Sequence, residues 1–217
     1  MSVSLKIEKL SKKYGSSWVL KDVELFISPF EKIAILGQNG SGKSTLLKLM
    51  AGFVHFEKGN IEWTNESSNS IIDEPEYSIS SPYLELFEHL TVHEQLQFHF
   101  KQRALIDKIS IDEIYALANL ESHKNKYIRQ LSSGIKQRFK NALAIFTKAD
   151  VLFLDEPCSN LDEENITLYQ TLMFEHTKNK MVIIASNHKP EYEFICTKEF
   201  KIEEKALKLL SNKQLWA

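Results

Sequence analysis

The chain has 217 residues, 43% hydrophobic and 26% charged, enough apolar material for one domain or for one core with a small inserted lobe. Its formal net charge of −2 excludes a strong overall pull toward nucleic acid or anionic lipid, so no nucleic-acid partner is expected. Apolar runs such as Val182-Ile183-Ile184-Ala185 fall far short of the ~18 residues a membrane-spanning helix needs, and Met1 to Lys6 lacks an apolar signal region. A cytoplasmic protein is expected.

In chain order, Leu5 to Leu10 and Val19 to Phe26 alternate imperfectly between apolar and polar residues and predict an antiparallel β-layer. Ile33 to Leu36, Val151 to Leu154 and Met181 to Ala185 are short apolar runs, each followed by polar or Gly-containing residues and then a helical pattern. That alternation predicts an α/β core with a parallel sheet. Thr64 to Tyr77, rich in Ser, Asn, Asp and Glu, predicts a loop. Thr91 with Glu94, and Ser110 with Glu113, have capping-box spacing. Ile135, Phe139, Ala142, Leu143 and Phe146 form a helical stripe. The expected organisation is a single unit over 1–217, with a core at about 1–75 and 148–217 and a helical subdomain at about 76–147. Cys158 and Cys196 have no partner at metal-ligand spacing and are expected as buried, reduced thiols.

Gly37-Gln38-Asn39-Gly40-Ser41-Gly42-Lys43-Ser44 matches G-x-x-x-x-G-K-[ST], between an apolar strand and a helical run. Glycines let the backbone wrap phosphates, the helix N-terminus adds its positive dipole end, and Lys43 adds a formal charge. The Ser44 hydroxyl is a candidate Mg²⁺ ligand. Gly37, Asn39, Gly40, Ser41, Gly42, Lys43, Ser44 and Thr45 are the candidate nucleotide-binding positions of this loop. The apolar run from Val151 ends in Asp155 and Glu156. Asp155 is placed to hold Mg²⁺, and Glu156 to polarise the attacking water as general base. ATP and Mg²⁺ are therefore the expected substrate and metal.

Three further motifs, with Tyr14, make the sequence resemble the ABC transporter ATPase family, a branch of the P-loop NTPases. Leu131-Ser132-Ser133-Gly134-Ile135-Lys136-Gln137-Arg138 is similar to the family signature, and Ser159-Asn160-Leu161-Asp162 to its D-loop. His188 stands where the family has a switch histidine, and Tyr14 where an aromatic residue stacks on adenine. The resemblance runs from about Leu5 to about Phe194. It implies two ATPase subunits, in a homodimer or a heterodimer, that sandwich ATP head to tail, with Ser132 and Gly134 completing the partner's phosphate site. It implies that His188 hydrogen-bonds the γ-phosphate beside Glu156 and Lys43.

Some positions depart from the family. Ser133 replaces a signature glycine, Ile135 the usual glutamine, and Lys189 an acidic residue. Ser78-Ile79-Ser80-Ser81-Pro82-Tyr83 lacks the glutamine that the family places after the strand entering its helical lobe. Tyr83, Leu86 and Phe87 are candidates for a groove that receives a membrane subunit; packing within their own lobe is the competing reading. The expected function is a transporter motor, peripheral on the inner face of the cell membrane, with a separate membrane-spanning subunit. With little chain beyond Phe200, no regulatory domain is expected. The alternative is a soluble ABC ATPase of the kind that drives iron–sulfur assembly, which shares every motif named above.

Overall fold

The computed structural model describes residues 2–213. Strands β1 (Val3–Tyr14) and β2 (Ser17–Ile27) form a hairpin, and β3 (Lys32–Leu36) leads into helix α1 (Lys43–Met50). After β4 (Lys58–Asn65), β5 (Ser70–Ile72) and β6 (Tyr77–Ser80) come three helices: α2 (Val92–Gln102), α3 (Ile111–Leu117) and α4 (Ser133–Phe146). The chain then alternates through β7 (Val151–Asp155), α5 (Glu163–His176) and β8 (Met181–Ala185), and ends with β9 (Lys198–Glu203) and β10 (Ala206–Asn212).

Two sheets result. An antiparallel sheet has the order β2-β1-β4-β5, and a six-stranded sheet the order β10-β9-β3-β8-β7-β6. Within the larger sheet only the β9–β10 pairing is antiparallel. Its central strands are apolar on both faces, which explains their unbroken runs. Ile33, Ile35, Phe153 and Ile183 point to one core with the antiparallel sheet and α1, where Leu5, Ile7, Leu20 and Leu46 lie. Ala34, Leu152, Leu154, Val182 and Ile184 point to the other, built with Leu96, Ile114, Phe139, Phe146 and Met173 of the helices. The period-two side-chain alternation of a strand thus divides one sheet between two cores.

Both capping boxes form at α2 and α3. The stripe on α4 buries Phe139, Ala142, Leu143 and Phe146. The predicted loop over Thr64 to Tyr77 is corrected: β4 extends through Asn65, β5 occupies Ser70–Ile72 and β6 starts at Tyr77. β5 lies at a sheet edge, where Ile71 is exposed and polar residues cost nothing, so composition there does not mark a strand. β6 pairs with β7 within the six-stranded sheet, so the segment expected to open the helical subdomain begins as sheet. β9 and β10 were not expected from the sequence; β9 carries Phe200 and Ile202 into the core, and Leu207 of β10 packs against it.

Candidate functional site

β3, β8 and β7 are neighbours in parallel register, so the segments that leave their C-terminal ends emerge on one edge of the sheet. That edge is the ordinary ligand-binding place of an open α/β sheet. The loop after β3 folds through glycines that no larger residue replaces easily. Gly37 has φ 152°, and a Cβ there would lie 2.5 Å from the Ser41 hydroxyl oxygen. Gly42 has φ 109°, and a Cβ would lie 2.9 Å from Cγ1 of Val19. The same contact packs the β1–β2 hairpin, whose tip carries Tyr14, against the start of α1.

Gly42 is the N-cap of α1 and supplies no side-chain cap. The Leu46 N–H donates to the Gly42 carbonyl at 2.8 Å, and the N–H groups of Lys43, Ser44 and Thr45 precede that bond at the positive end of the helix. Lys43 is buried, and its ammonium donates to the carbonyls of Gly37 at 2.7 Å and Gln38 at 3.4 Å. The Ser41 hydroxyl oxygen is buried without a hydrogen-bond partner. An unpaired buried hydroxyl beside a buried ammonium and unbonded helix N–H groups suits a multiply charged anion.

Asp155 ends β7, buried, and its carboxylate accepts from the Ser44 hydroxyl. Burial pushes its pKa up, while Ser44 and Lys43 pull the other way. A carboxylate and a hydroxyl side by side, both hard oxygen donors, fit Mg²⁺, which takes few protein ligands and shares its remaining positions with water and phosphate. Among the described residues no cluster of three or more His, Cys, Asp or Glu competes for a metal. Glu156 follows in the left-handed region at φ 46°, its N–H held by the Ala185 carbonyl at 2.9 Å. A non-glycine residue held there stores strain, a frequent mark of a functional position.

Beyond β8, Asn187 grips the phosphate loop. Its Oδ1 accepts from the Gly37 N–H at 2.9 Å, and its Nδ2 donates to the Gly37 carbonyl. This residue was missed from the sequence; its one signal was its place beside His188. The His188 side chain is about half exposed, with Nδ1 3.9 Å from the buried Glu191 Oε1. That same Oε1 accepts the Cys158 N–H at 2.8 Å. Burial raises the Glu191 pKa above its ordinary value.

Ser132 caps α4, its hydroxyl accepting from the Ile135 N–H at 3.3 Å. A Cβ on Gly134 would lie 2.7 Å from the Asn160 carbonyl oxygen, so the α4 turn packs on the 159–162 segment. Ser132 and Gly134 therefore neighbour the segment after Glu156, while Lys43, Ser44, Asp155 and Asn187 gather around the phosphate loop. Asn39 and Gly40 are exposed at the top of that loop. Tyr14 is half exposed, with the Lys12 ammonium 5.1 Å from its ring centre. Cys158 and Cys196 are free and buried, and burial raises both thiol pKa values.

At the exit of β6, where the sequence has no glutamine, polar groups come from α4 instead: Gln137, Lys140 and Asn141. Nearby, Phe53, Leu84, Leu86, Phe87, Phe98 and Leu143 line a cavity of about 310 Å³. Phe87 and Phe98 are exposed at its rim, Leu86 is buried, and Tyr83 is exposed outside it.

The family model for ABC transporters matches residues 20–159. The Fe(3+) ions import ATP-binding protein of Fusobacterium nucleatum is 38% identical over 167 residues, covering 75% of this chain and 45% of the relative. The sulfate/thiosulfate import ATP-binding protein of Synechococcus elongatus is 33% identical over 168 residues, covering 74% and 48%. The chain spans about half the length of the curated relatives it matches. An ATP-binding subunit of an ABC transporter shares its fold with a TM-score of 0.82 at 21% identity, over 95% of this chain and 89% of that one. A metal-chelate type ABC transporter in an inward-facing conformation gives 0.75 at 21% identity, over 100% and 86%.

Proposed function

From the premise that this chain belongs to the ABC transporter family, as an ATP-binding member, we propose that it hydrolyses ATP and powers a transporter whose membrane-spanning part is a separate protein. The observation that carries the reading is the convergence, at the C-terminal ends of β3 and β7 on either side of β8, of the Gly37–Lys43 cradle, the Ser44–Asp155 oxygen pair and the strained Glu156.

In this reading ATP lies with its β- and γ-phosphates against the N–H groups of the loop and of α1. Lys43 exchanges its two carbonyl partners for phosphate oxygens, and Ser41 finds a partner for its hydroxyl. Tyr14 offers its exposed ring to the adenine. Ser44 and Asp155 would hold Mg²⁺, which supplies positive charge to the phosphate oxygens when bound. Glu156 takes the proton of the water that attacks the γ-phosphorus as the bond to the ADP oxygen breaks. His188, on an exposed turn beside Glu156, donates to the γ-phosphate.

Ser132 and Gly134 address the γ-phosphate of a second ATPase subunit, identical or homologous, so ATP closes a dimer and its hydrolysis opens it. The 1–217 unit is one ATP-binding domain, its helical subdomain beginning after β6. The apolar cavity rimmed by Phe87 and Phe98 receives the membrane subunit. Among the described residues no helix is long and apolar enough to cross a membrane; that partner holds the protein at the cytoplasmic face of the membrane.

Glu156→Gln tests the reading. It keeps size and loses the base, so ATP hydrolysis should fall by roughly a hundred- to ten-thousandfold while ATP still binds and stabilises a dimer. Phosphate release and size-exclusion chromatography with and without ATP measure both. Turnover near that of the wild type removes Glu156 as base.

A further inference from the structure

The segment after Glu156 contains no glycine, yet it departs sharply from β7 through a left-handed residue. Both polar groups of its Pro157–Cys158 peptide are held by side chains from elsewhere. The Asn141 Nδ2 donates to the Pro157 carbonyl at 2.7 Å, and Glu191 takes the Cys158 N–H. Asn141 is itself fixed: its Oδ1 accepts from the Ser80 hydroxyl at 2.7 Å and from the Gln137 Nε2 at 3.2 Å. Gln137 also donates to the Ser80 hydroxyl oxygen at 3.4 Å. Ser80, Gln137 and Asn141 are buried.

A buried amide is tolerated in this position only because its hydrogen-bonding groups find partners, and that requirement fixes its orientation. The cluster is neutral, so it does not titrate and holds across the working pH range. We infer that Asn141 is a positioning residue for the reaction. It ties the Pro157–Cys158 peptide, one residue beyond Glu156, and so the register of the base, to the end of β6 and to the body of α4.

The arrangement has a mechanical consequence. α4 is one helix of fourteen residues, about 21 Å long, with Ser132 and Gly134 at its N-terminus and Asn141 within it. Lys140, one position earlier, donates to the carbonyls of Ser81 at 3.2 Å and Pro82 at 3.0 Å, so the same helix also grips the chain leaving β6. A rigid shift of α4, from its N-terminus or from the apolar cavity beside it, moves the donor that holds the peptide after the base. Asn141 thus makes the orientation of the helical subdomain a condition for the base to be in place.

This inference rests on reading Glu156 as the base of ATP hydrolysis, and the test separates the two. Steady-state hydrolysis is measured for the wild type, Asn141→Leu and Ser80→Ala, with thermal melting to verify folding. Asn141→Leu keeps the branched shape and removes the Pro157 bond, so kcat should fall roughly ten- to a hundredfold, because a misplacement of ~1 Å at a reacting group costs that much. KM for ATP should stay within about twofold, since the phosphate loop is untouched. Ser80→Ala frees one side of the amide, and kcat should fall by a smaller factor, again with KM held; it carries the test if Asn141→Leu does not fold. A folded Asn141→Leu, or failing that Ser80→Ala, with kcat at the wild-type level, or with only KM changed, overturns the positioning role while leaving Glu156 in its own. A wild-type protein that releases no phosphate overturns both.

Discussion

Two loops leave β3 and β7, on either side of β8 at one edge of the same sheet, but they are held in different ways. The loop after β3 is built largely from its own residues, with Asn187 gripping Gly37 from beyond β8. Its glycines reach the conformations it needs, Lys43 satisfies two of its carbonyls, and the start of α1 supplies N–H groups. The loop after β7 has no glycine. Glu156 and Asn160 take left-handed φ angles of 46° and 64°, at a cost of roughly 1–2 kcal/mol each. That cost is offset by bonds from distant side chains, Asn141 on one side and Glu191 on the other. The cradle thus draws mainly on its own residues, while the segment after Glu156 depends on the positions of α4 and of the turn after β8.

After Glu156→Gln, the largest effect should come from the loop after β3. Lys43→Ala removes the buried ammonium from the Gly37 and Gln38 carbonyls, which keep Asn187 Nδ2 and the Ser41 N–H as donors. Hydrolysis should fall by roughly a hundred- to a thousandfold, with ATP affinity falling too, since the charge acts on ground state and transition state alike. Phosphate release and fluorescent-nucleotide titration read the two quantities. Loss of turnover with full affinity would break the comparison by making the cradle a transition-state device only.

Gly134→Ala acts on the other loop. The added Cβ meets the Asn160 carbonyl at 2.7 Å and must displace the 159–162 segment or the α4 turn. Hydrolysis should fall by about tenfold or more while ATP affinity of the isolated subunit stays within about twofold. Equal losses in affinity and turnover would mean that the two loops are not held independently.

The same contrast decides what was legible in the sequence. Gly37 to Ser44 could be read directly, because a loop that encodes its own conformation shows it as a pattern of residues. The strands at Ile33, Val151 and Met181 were legible because burial on both faces demands unbroken apolar runs. The caps at Thr91 and Ser110 are local and were legible for the same reason. β4, β5, β9 and β10 were not found, because strands at or beside an exposed sheet edge keep polar residues. Nor were Asn187, Asn141 and Glu191, whose bonds to Gly37, Pro157 and Cys158 span 150, 16 and 33 positions. Contacts at such separations leave no periodicity behind. The missing glutamine after β6 was visible as an absence, but the Gln137–Asn141–Ser80 cluster at that place is a product of folding α4 across the strand end.

The smallest expected effect concerns Glu191, the second hold on the base segment, and it is one of stability. Its carboxylate is buried, and burial raises its pKa above the ordinary 4.5 despite the Ser186 hydroxyl, the Cys158 N–H and His188, which favour the charged form. Glu156 nearby adds to the rise. A carboxyl whose native pKa is raised binds protons more tightly folded than unfolded, so its stabilising contribution is complete below pH 4.5 and is lost as pH climbs through the native value. Glu191→Gln keeps an oxygen to accept the Cys158 N–H and has no proton to lose. Its melting temperature should match the wild type near pH 4 and exceed it by on the order of 1–3 °C at pH 7.5, with the gap opening as pH rises. Differential scanning calorimetry across that range measures the gap. A gap that closes or reverses with rising pH would mean that the Cys158 N–H, Ser186 and His188 outweigh burial, and that the base segment is held by a charge and not merely by an acceptor.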